Sequence, residues 1–249
     1  MSYQIREMSF SELLDAAFRI VRDHFVLLVG ISAVINLPVA VIGSEIEAAP
    51  GSAVWLRAVA MFLLLLIAGP IVSVALTYAI GEIYLGRVTT VGQSLRAALG
   101  LIVPFSGTLL LLYLGVLGGL LLLVIPGIYL MLVWMLTWQV MVFERCFGTA
   151  ALRRSRALMR GNVWRAIGIL LLSGLITAVL TSAFGAVFRL APVLAPLARG
   201  IAQSVGGAYT ATVAVLLYFD IRCRKEAFDL EHLAELVESA APAGRPLPA

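Results

Sequence analysis

The chain has 249 residues, 61% hydrophobic and 13% charged, with a net charge of +4 and a mean hydropathy of +1.02. A soluble domain carries about 45–50% apolar and about 25% charged residues, so this composition excludes a soluble enzyme, a disordered scaffold and a disulfide-rich secreted domain. It implies an integral membrane protein with little room for a second, soluble domain.

In chain order, Met1 to Glu12 carries acidic residues and no clean apolar core, so no removable signal peptide is expected. Ser9 to Phe18, SFSELLDAAF, follows with Phe10, Leu13, Leu14, Ala17 and Phe18 three or four apart. That spacing predicts an elbow helix with one apolar face for the interface plane. A membrane-crossing helix needs about 20 mostly apolar residues, and the first such stretch runs from Phe25 to Ile42. The second, Trp55 to Leu85, has Gly69-Pro70 near its middle, where proline removes a backbone bond and is expected to bend the helix. A second elbow is expected at Thr90 to Leu99.

From Ala97 to Phe143 there are 47 residues without Asp, Glu, Lys, Arg or His. At about 1.5 Å per residue such a run is about twice the bilayer thickness, which requires a hairpin. The expected break is Pro126-Gly127, because proline cannot continue a helix and glycine tolerates a turn. Span three is then Leu101 to Ile125, and span four is Ile128 to Phe143. A third elbow follows at Phe147 to Leu158. Span five, Val163 to Phe188, has Asn162 as its expected N-cap, and the loop Leu190 to Gly200, with Pro192 and Pro196, separates it from span six at Ile201 to Ile221. The predicted fold is all-α, a polytopic integral membrane protein with six transmembrane helices and three cytoplasmic amphipathic elbow helices. Residues 1–238 form a single membrane domain, and residues 239–249 a disordered Pro/Ala tail.

The elbows suggest an internal repeat. Ser9 aligns with Thr90, Glu12 with Gln93, Leu14 with Leu95 and Ala16-Ala17 with Ala97-Ala98, and FGTAALRRSRAL is a more divergent third copy. Of the 18 basic residues, all except Arg57, Arg189 and Arg199 fall on one side of this topology. The positive-inside rule therefore puts both termini in the cytoplasm. All basic residues but Lys225 are arginine, which together with abundant Ala, Leu and Gly suggests a GC-rich bacterial genome and the cytoplasmic (inner) membrane. Cys146 and Cys223, beside arginines on the cytoplasmic side, are expected to stay reduced.

Each returning span ends in an acid followed by arginine: Glu82 then Arg87, Glu144 then Arg145, Asp220 then Arg222. A carboxylate there meets the negative end of the helix dipole, so a cationic partner is expected for each. The elbow arginines are the candidates: Arg19 or Arg22, Arg96, and Arg153 or Arg154. Arg153, Arg154, Arg156 and Arg160 are also the expected contacts for phospholipid headgroups, each contributing about 1 kcal/mol of attraction to anionic lipid. Gly206, Gly207, Thr210 and Ala211 form small-residue pairs that let a helix approach closely, within the chain or across a homodimer seam. No cofactor, metal site, catalytic group or nucleic-acid partner is expected. His24 and His232 fit no metal spacing, and no Walker A lysine, GxGxxG or GxSxG occurs.

Ile125 to Leu170, Tyr218 to Leu233 and the N-terminal SFSELLDAAFRIVRDHF resemble the six-helix bacterial glycerophosphoryl diester phosphodiesterase membrane domain family. The resemblance rests on Pro126, Gly127, Glu144, Leu152, Arg154, Ser155, Asp220 and Arg222. It implies six spans with a proline-glycine hinge, and no phosphodiesterase activity, since no residues are left for the catalytic barrel. The expected function is a non-enzymatic membrane protein that binds lipid or an envelope protein partner, as a scaffold or envelope-maintenance factor. The alternative is a small-molecule or lipid transporter with hinges at Gly69-Pro70 and Pro126-Gly127.

Overall fold

The computed structural model describes residues 7–48, 53–187 and 194–226. The tail 239–249, Arg6, Arg189, Pro192, His232 and Arg245 lie outside the described residues. Among those described, the backbone forms helices and no strand.

The first short helix, α1 (Phe10–Asp23), starts with a reciprocal pair. Ser9 Oγ accepts from the Glu12 N–H, and Glu12 Oε2 accepts from the Ser9 N–H at 2.7 Å. The second, α4 (Val91–Gly100), repeats the device with Thr90 and Gln93, whose Oε1 accepts from the Thr90 N–H at 3.0 Å. Each box satisfies two amides that the helix itself leaves unpaired. The aligned pairs Ser9/Thr90 and Glu12/Gln93 thus share a helix-start function. The third short helix, α8 (Thr149–Met159), departs: its N-cap is Gly148 at φ 64, whose N–H donates instead to Thr108 Oγ1 at 2.7 Å. Thr90→Ala is expected to cost about 0.5–2 kcal/mol, seen as a lower unfolding midpoint in detergent; an unchanged midpoint would contradict the box.

Among the described residues, six helical stretches are long and apolar enough to cross a membrane. They are α2 (Phe25–Ala48), α3 (Val54–Tyr84), α5 (Ile102–Leu122), α6 with α7 (Val124–Val133 and Thr137–Phe143), α9 (Val163–Val187) and α10 (Ala195–Glu226). By length and composition this is a multi-pass membrane protein. Its α2 continues past the expected end at Ile42, through Pro38, to Ala48. Around Gly69-Pro70, α3 runs unbroken, because proline deletes one N–H while the residues on either side keep their own helical bonds.

The α5–α6 hairpin turns at Leu123, whose backbone is extended at φ −160 and ψ 141, and not at Pro126-Gly127. Pro126 is the third residue of α6, a position where its missing N–H costs no helical bond. Gly127 serves close approach: a Cβ there would stand 2.5 Å from Leu120 Cδ2 and 2.6 Å from the Leu120 backbone nitrogen. Span four is interrupted between Val133 and Thr137. The break releases the Val133 carbonyl, and Ser155 Oγ of α8 donates to it at 2.9 Å inside the protein. Thr137 Oγ1 likewise donates to the Trp134 carbonyl. Ser155→Ala is expected to cost about 1–3 kcal/mol by leaving a buried acceptor unpaired, measurable by chemical unfolding; a neutral result would remove the α8 contact from the account. The last helix, α10, begins at Ala195, earlier than Ile201, and accommodates Pro196 in its first turn.

The central helix is α10, which buries one face from Ala198 to Ala208 and nearly its whole circumference from there to Cys223, packed on α2, α9, α1 and α3. Glycines set two of these seams. A Cβ at Gly200 would lie 2.9 Å from Leu37 Cδ2 of α2, and one at Gly206 would collide with Thr177 of α9. Elsewhere burial is lopsided. Buried residues sit in the first turns of α2, the second half of α3 and from Val133 onward in span four, all toward the end where α1, α4 and α8 gather. At the opposite end Val54, Phe62, Ile67 and the run Leu121 to Ile125 are exposed. Apolar side chains facing outward in such numbers suit hydrocarbon as the solvent.

Candidate functional site

The end of the bundle that carries α1, α4 and α8 holds two lattices of charge. In the first, Glu144 closes α7. Its Oε2 accepts from Arg154 Nε at 2.6 Å and its Oε1 from the Tyr218 hydroxyl at 2.8 Å. Arg154 also makes two bonds to Glu226, one of them at 2.9 Å, and Glu226 accepts from Arg222 Nε at 3.0 Å. Lys225 Nζ donates to the Ala157 carbonyl at 2.6 Å. The hydrogen bonds it donates to Glu226 and Glu144 outweigh partial desolvation and hold the pKa of the Arg154 guanidinium well above the ordinary arginine range. The lattice fastens α7, α8 and α10 together.

The second lattice centres on Asp220, whose side chain is 0% exposed. Its Oδ1 accepts the Met8 N–H at 2.8 Å, and Oδ2 accepts from Arg165 Nε at 3.0 Å and Arg224 Nε at 3.1 Å. The same two arginines donate to the Met8 carbonyl at 2.6 and 2.7 Å, and Arg224 reaches Glu7 at 3.2 Å. Burying a carboxylate is costly unless its lone pairs are filled. Here two guanidinium groups and a backbone amide fill them, and the N-terminal segment, α9 and α10 are tied at one point.

The expected pairs are therefore redistributed. Arg154 meets Glu144, but Asp220 takes Arg165 and Arg224, and Glu82 takes Arg87 at 3.5 Å. Arg19 and Arg96 are exposed and, among the described residues, pair with none of the three acids. Local geometry explains this: Arg87 follows Glu82 in the turn that ends α3, with its N–H on the Glu82 carbonyl at 2.7 Å, and Arg165 stands on the first turn of α9 facing α10. The four headgroup candidates divide as well. Arg153, Arg156 and Arg160 are exposed, while Arg154 turns inward to two carboxylates. Asn162 precedes α9 and its carbonyl accepts the Ala166 N–H at 3.0 Å, while its side-chain Nδ2 donates backward to the Leu158 carbonyl at 3.4 Å.

Sequence reasoning passed over Arg165, Tyr218, Arg224 and Glu226 as partners. The spacing of Asp220 to Arg224 and Arg222 to Glu226, each i to i+4 on one helix, was the available signal; both pairs form. No such signal exists for Met8 or Arg165, which arrive from distant segments.

Two grooves flank the seam where Thr177 Oγ1 and Thr210 Oγ1 stand 3.3 Å apart. The first, of about 680 Å³, is walled by apolar Phe18 of α1, Leu172, Ile176 and Leu180 of α9, and Val205 of α10, with Ser11, Asp15 and Arg22 on the α1 side. The second, of about 790 Å³, lies between α9 and the first half of α10 and is lined by small and polar residues, among them Thr181, Ser182, Arg199 and Gln203. Both volumes fall within the ~300–1,000 Å³ of small-ligand sites. Among the described residues no cluster of three His, Cys, Asp or Glu could hold a metal.

A family model for a domain of unknown function, DUF8558, matches residues 97–221, from α4 to near the end of α10. No curated protein and no solved structure matches the chain.

Proposed function

The chain belongs to the DUF8558 family, a domain of unknown function, and from that premise we propose that it is a non-enzymatic membrane protein that holds a phospholipid. In this reading it resides in a bacterial cytoplasmic membrane with both termini in the cytoplasm and α1, α4 and α8 as interfacial elbows. Kinship with the glycerophosphoryl diester phosphodiesterase membrane domain family is part of the same proposal.

The observation that carries it is the apolar groove between α1, α9 and α10. Along α9 it runs from Leu172 to Leu180, a rise of about 12 Å, close to the ~15 Å of one leaflet's hydrocarbon. An acyl chain fits that length and polarity. At the far end of the α1 wall Arg22, which holds Asp23 at 3.0 Å, adds a cation suited to a phosphate. Exposed Arg153, Arg156 and Arg160 draw the same face toward anionic lipid at about 1 kcal/mol each.

Native mass spectrometry of the full chain, extracted gently from its own membrane, tests this. Wild type is expected to retain a phospholipid in defined stoichiometry, and Ile176→Trp with Val205→Trp, which fills the groove, is expected to lose it. A bare protein that brings a reproducible partner chain would replace the lipid reading with a scaffold.

A further inference from the structure

The second groove differs chemically from the first. From Ala195 to Thr210 it follows α10 for fifteen residue steps, about 22 Å, which exceeds one leaflet's share of the hydrocarbon. A surface of that depth facing acyl chains would ordinarily be apolar. Between alanines it instead presents Thr177, Thr181, Ser182, Gln203 and Thr210 beside Gly206 and Gly207; the Thr181 and Ser182 hydroxyls donate to carbonyls of their own helix and Thr177 bonds Thr210, which leaves these oxygens as acceptors. The Gln203 side chain is exposed and, among the described residues, its amide has no hydrogen-bond partner. Hydrocarbon cannot supply one. Arg199 stands at the end where α10 begins, 63% exposed and in loose contact with an equally exposed Glu47 at 3.6 Å. A guanidinium has five N–H donors, and one long contact leaves most of them for an incoming oxyanion.

We propose that this groove takes the headgroup of an anionic phospholipid from the leaflet at which α10 begins. The phosphate sits at Arg199, and hydroxyls of the headgroup meet Gln203, Thr181 and Ser182 below it. A second copy of this chain is a poorer occupant. Two copies crossing the membrane in the same sense would bring Arg199 against Arg199 at one depth, and like charges across an interface oppose association. The site rests on the chain's crossing a membrane and is separate from the α1 groove.

The test is lipid retention from nanodiscs of mixed phosphatidylglycerol and phosphatidylcholine, read by native mass spectrometry on the full chain. Wild type is expected to keep phosphatidylglycerol in preference. Arg199→Gln should reduce that preference about tenfold, the value of one charge-assisted hydrogen bond, and Gln203→Leu with Thr181→Val should lower retention of both lipids. All these positions border open space, so circular dichroism should show an unchanged helix content. The variant with Trp at positions 176 and 205 keeps the preference if the two sites are independent, which separates failure here from failure of the α1 groove. Equal retention of phosphatidylglycerol by wild type and Arg199→Gln overturns the proposal, as does a dimer in wild type that Gln203→Leu converts to monomer.

Discussion

Asp220→Ala is expected to lower the unfolding free energy by about 3–5 kcal/mol, the cost of removing one partner from a buried ion pair. The aspartate side chain is 0% exposed and accepts from the Met8 amide, Arg165 and Arg224. Without it, two guanidinium groups and an amide crowd a pocket that no longer holds a counter-charge, and the N-terminal segment loses its tie to α9 and α10. Glu82→Gln provides the comparison. Its partner Arg87 is 67% exposed and 3.5 Å away, so water replaces the contact and the loss should stay below about 1 kcal/mol. Titrated unfolding in detergent micelles measures both; equal losses would mean that Asp220 is solvated in the folded protein.

Gly127→Ala should destabilise the chain by about 1–3 kcal/mol, the penalty for overpacking a closed seam. The new methyl would meet the Leu120 backbone nitrogen at 2.6 Å, and backbone cannot swing aside as a side-chain tip can. Across the seam, a Cβ on Gly119 would in turn lie 2.9 Å from the Gly127 Cα, so the α5–α6 hairpin closes only with glycine on both strands of the contact. Gly118→Ala, one residue away, meets nothing within 4 Å. It should be neutral or stabilise by up to about 1 kcal/mol through better helix propensity. Opposite signs for Gly127→Ala and Gly118→Ala would be read directly from two unfolding curves, and matching signs would place the hairpin turn somewhere other than Leu123.

Much of the architecture was legible because hydrocarbon imposes a simple rule. Hydrocarbon offers no partner to a backbone amide, so a run of about 20 apolar residues satisfies itself as a helix. The apolar runs starting at Phe25, Trp55 and Val163 became helices with starts within one residue. The capping boxes act over three residues, Ser9 with Glu12 and Thr90 with Gln93, and showed in the sequence as aligned positions of the repeat. The turn of the α5–α6 hairpin was not legible. Proline and glycine have two uses each, and the choice between a turn and a first helical turn with close packing depends on Leu120 and Gly119 of the opposite helix. The interruption at Trp134 to Leu136 was equally hidden, because its stabilising donor, Ser155, lies 22 residues from Val133.

The candidate sites divide along the same line. That acids at the ends of returning helices need cations follows from the dipole and from charge alone, and it was readable for Glu82, Glu144 and Asp220. Which cation serves each depends on how α8 and α9 cross the end of α10. That crossing sends Arg154 to Glu144 and Glu226, brings Arg165 to Asp220, and leaves Arg19 and Arg96 exposed. The small and polar residues Gly206, Gly207 and Thr210 were visible as a helix-contact motif. Folding spends Gly206 on Thr177 of α9 and leaves Gly207 beside a groove with nothing near it. Local rules, backbone bonding and helix periodicity, act within a few residues and are written in the chain order; pairing and grooves arise from side chains dozens to hundreds of residues apart, whose meeting is set by the packing of helices against the central α10.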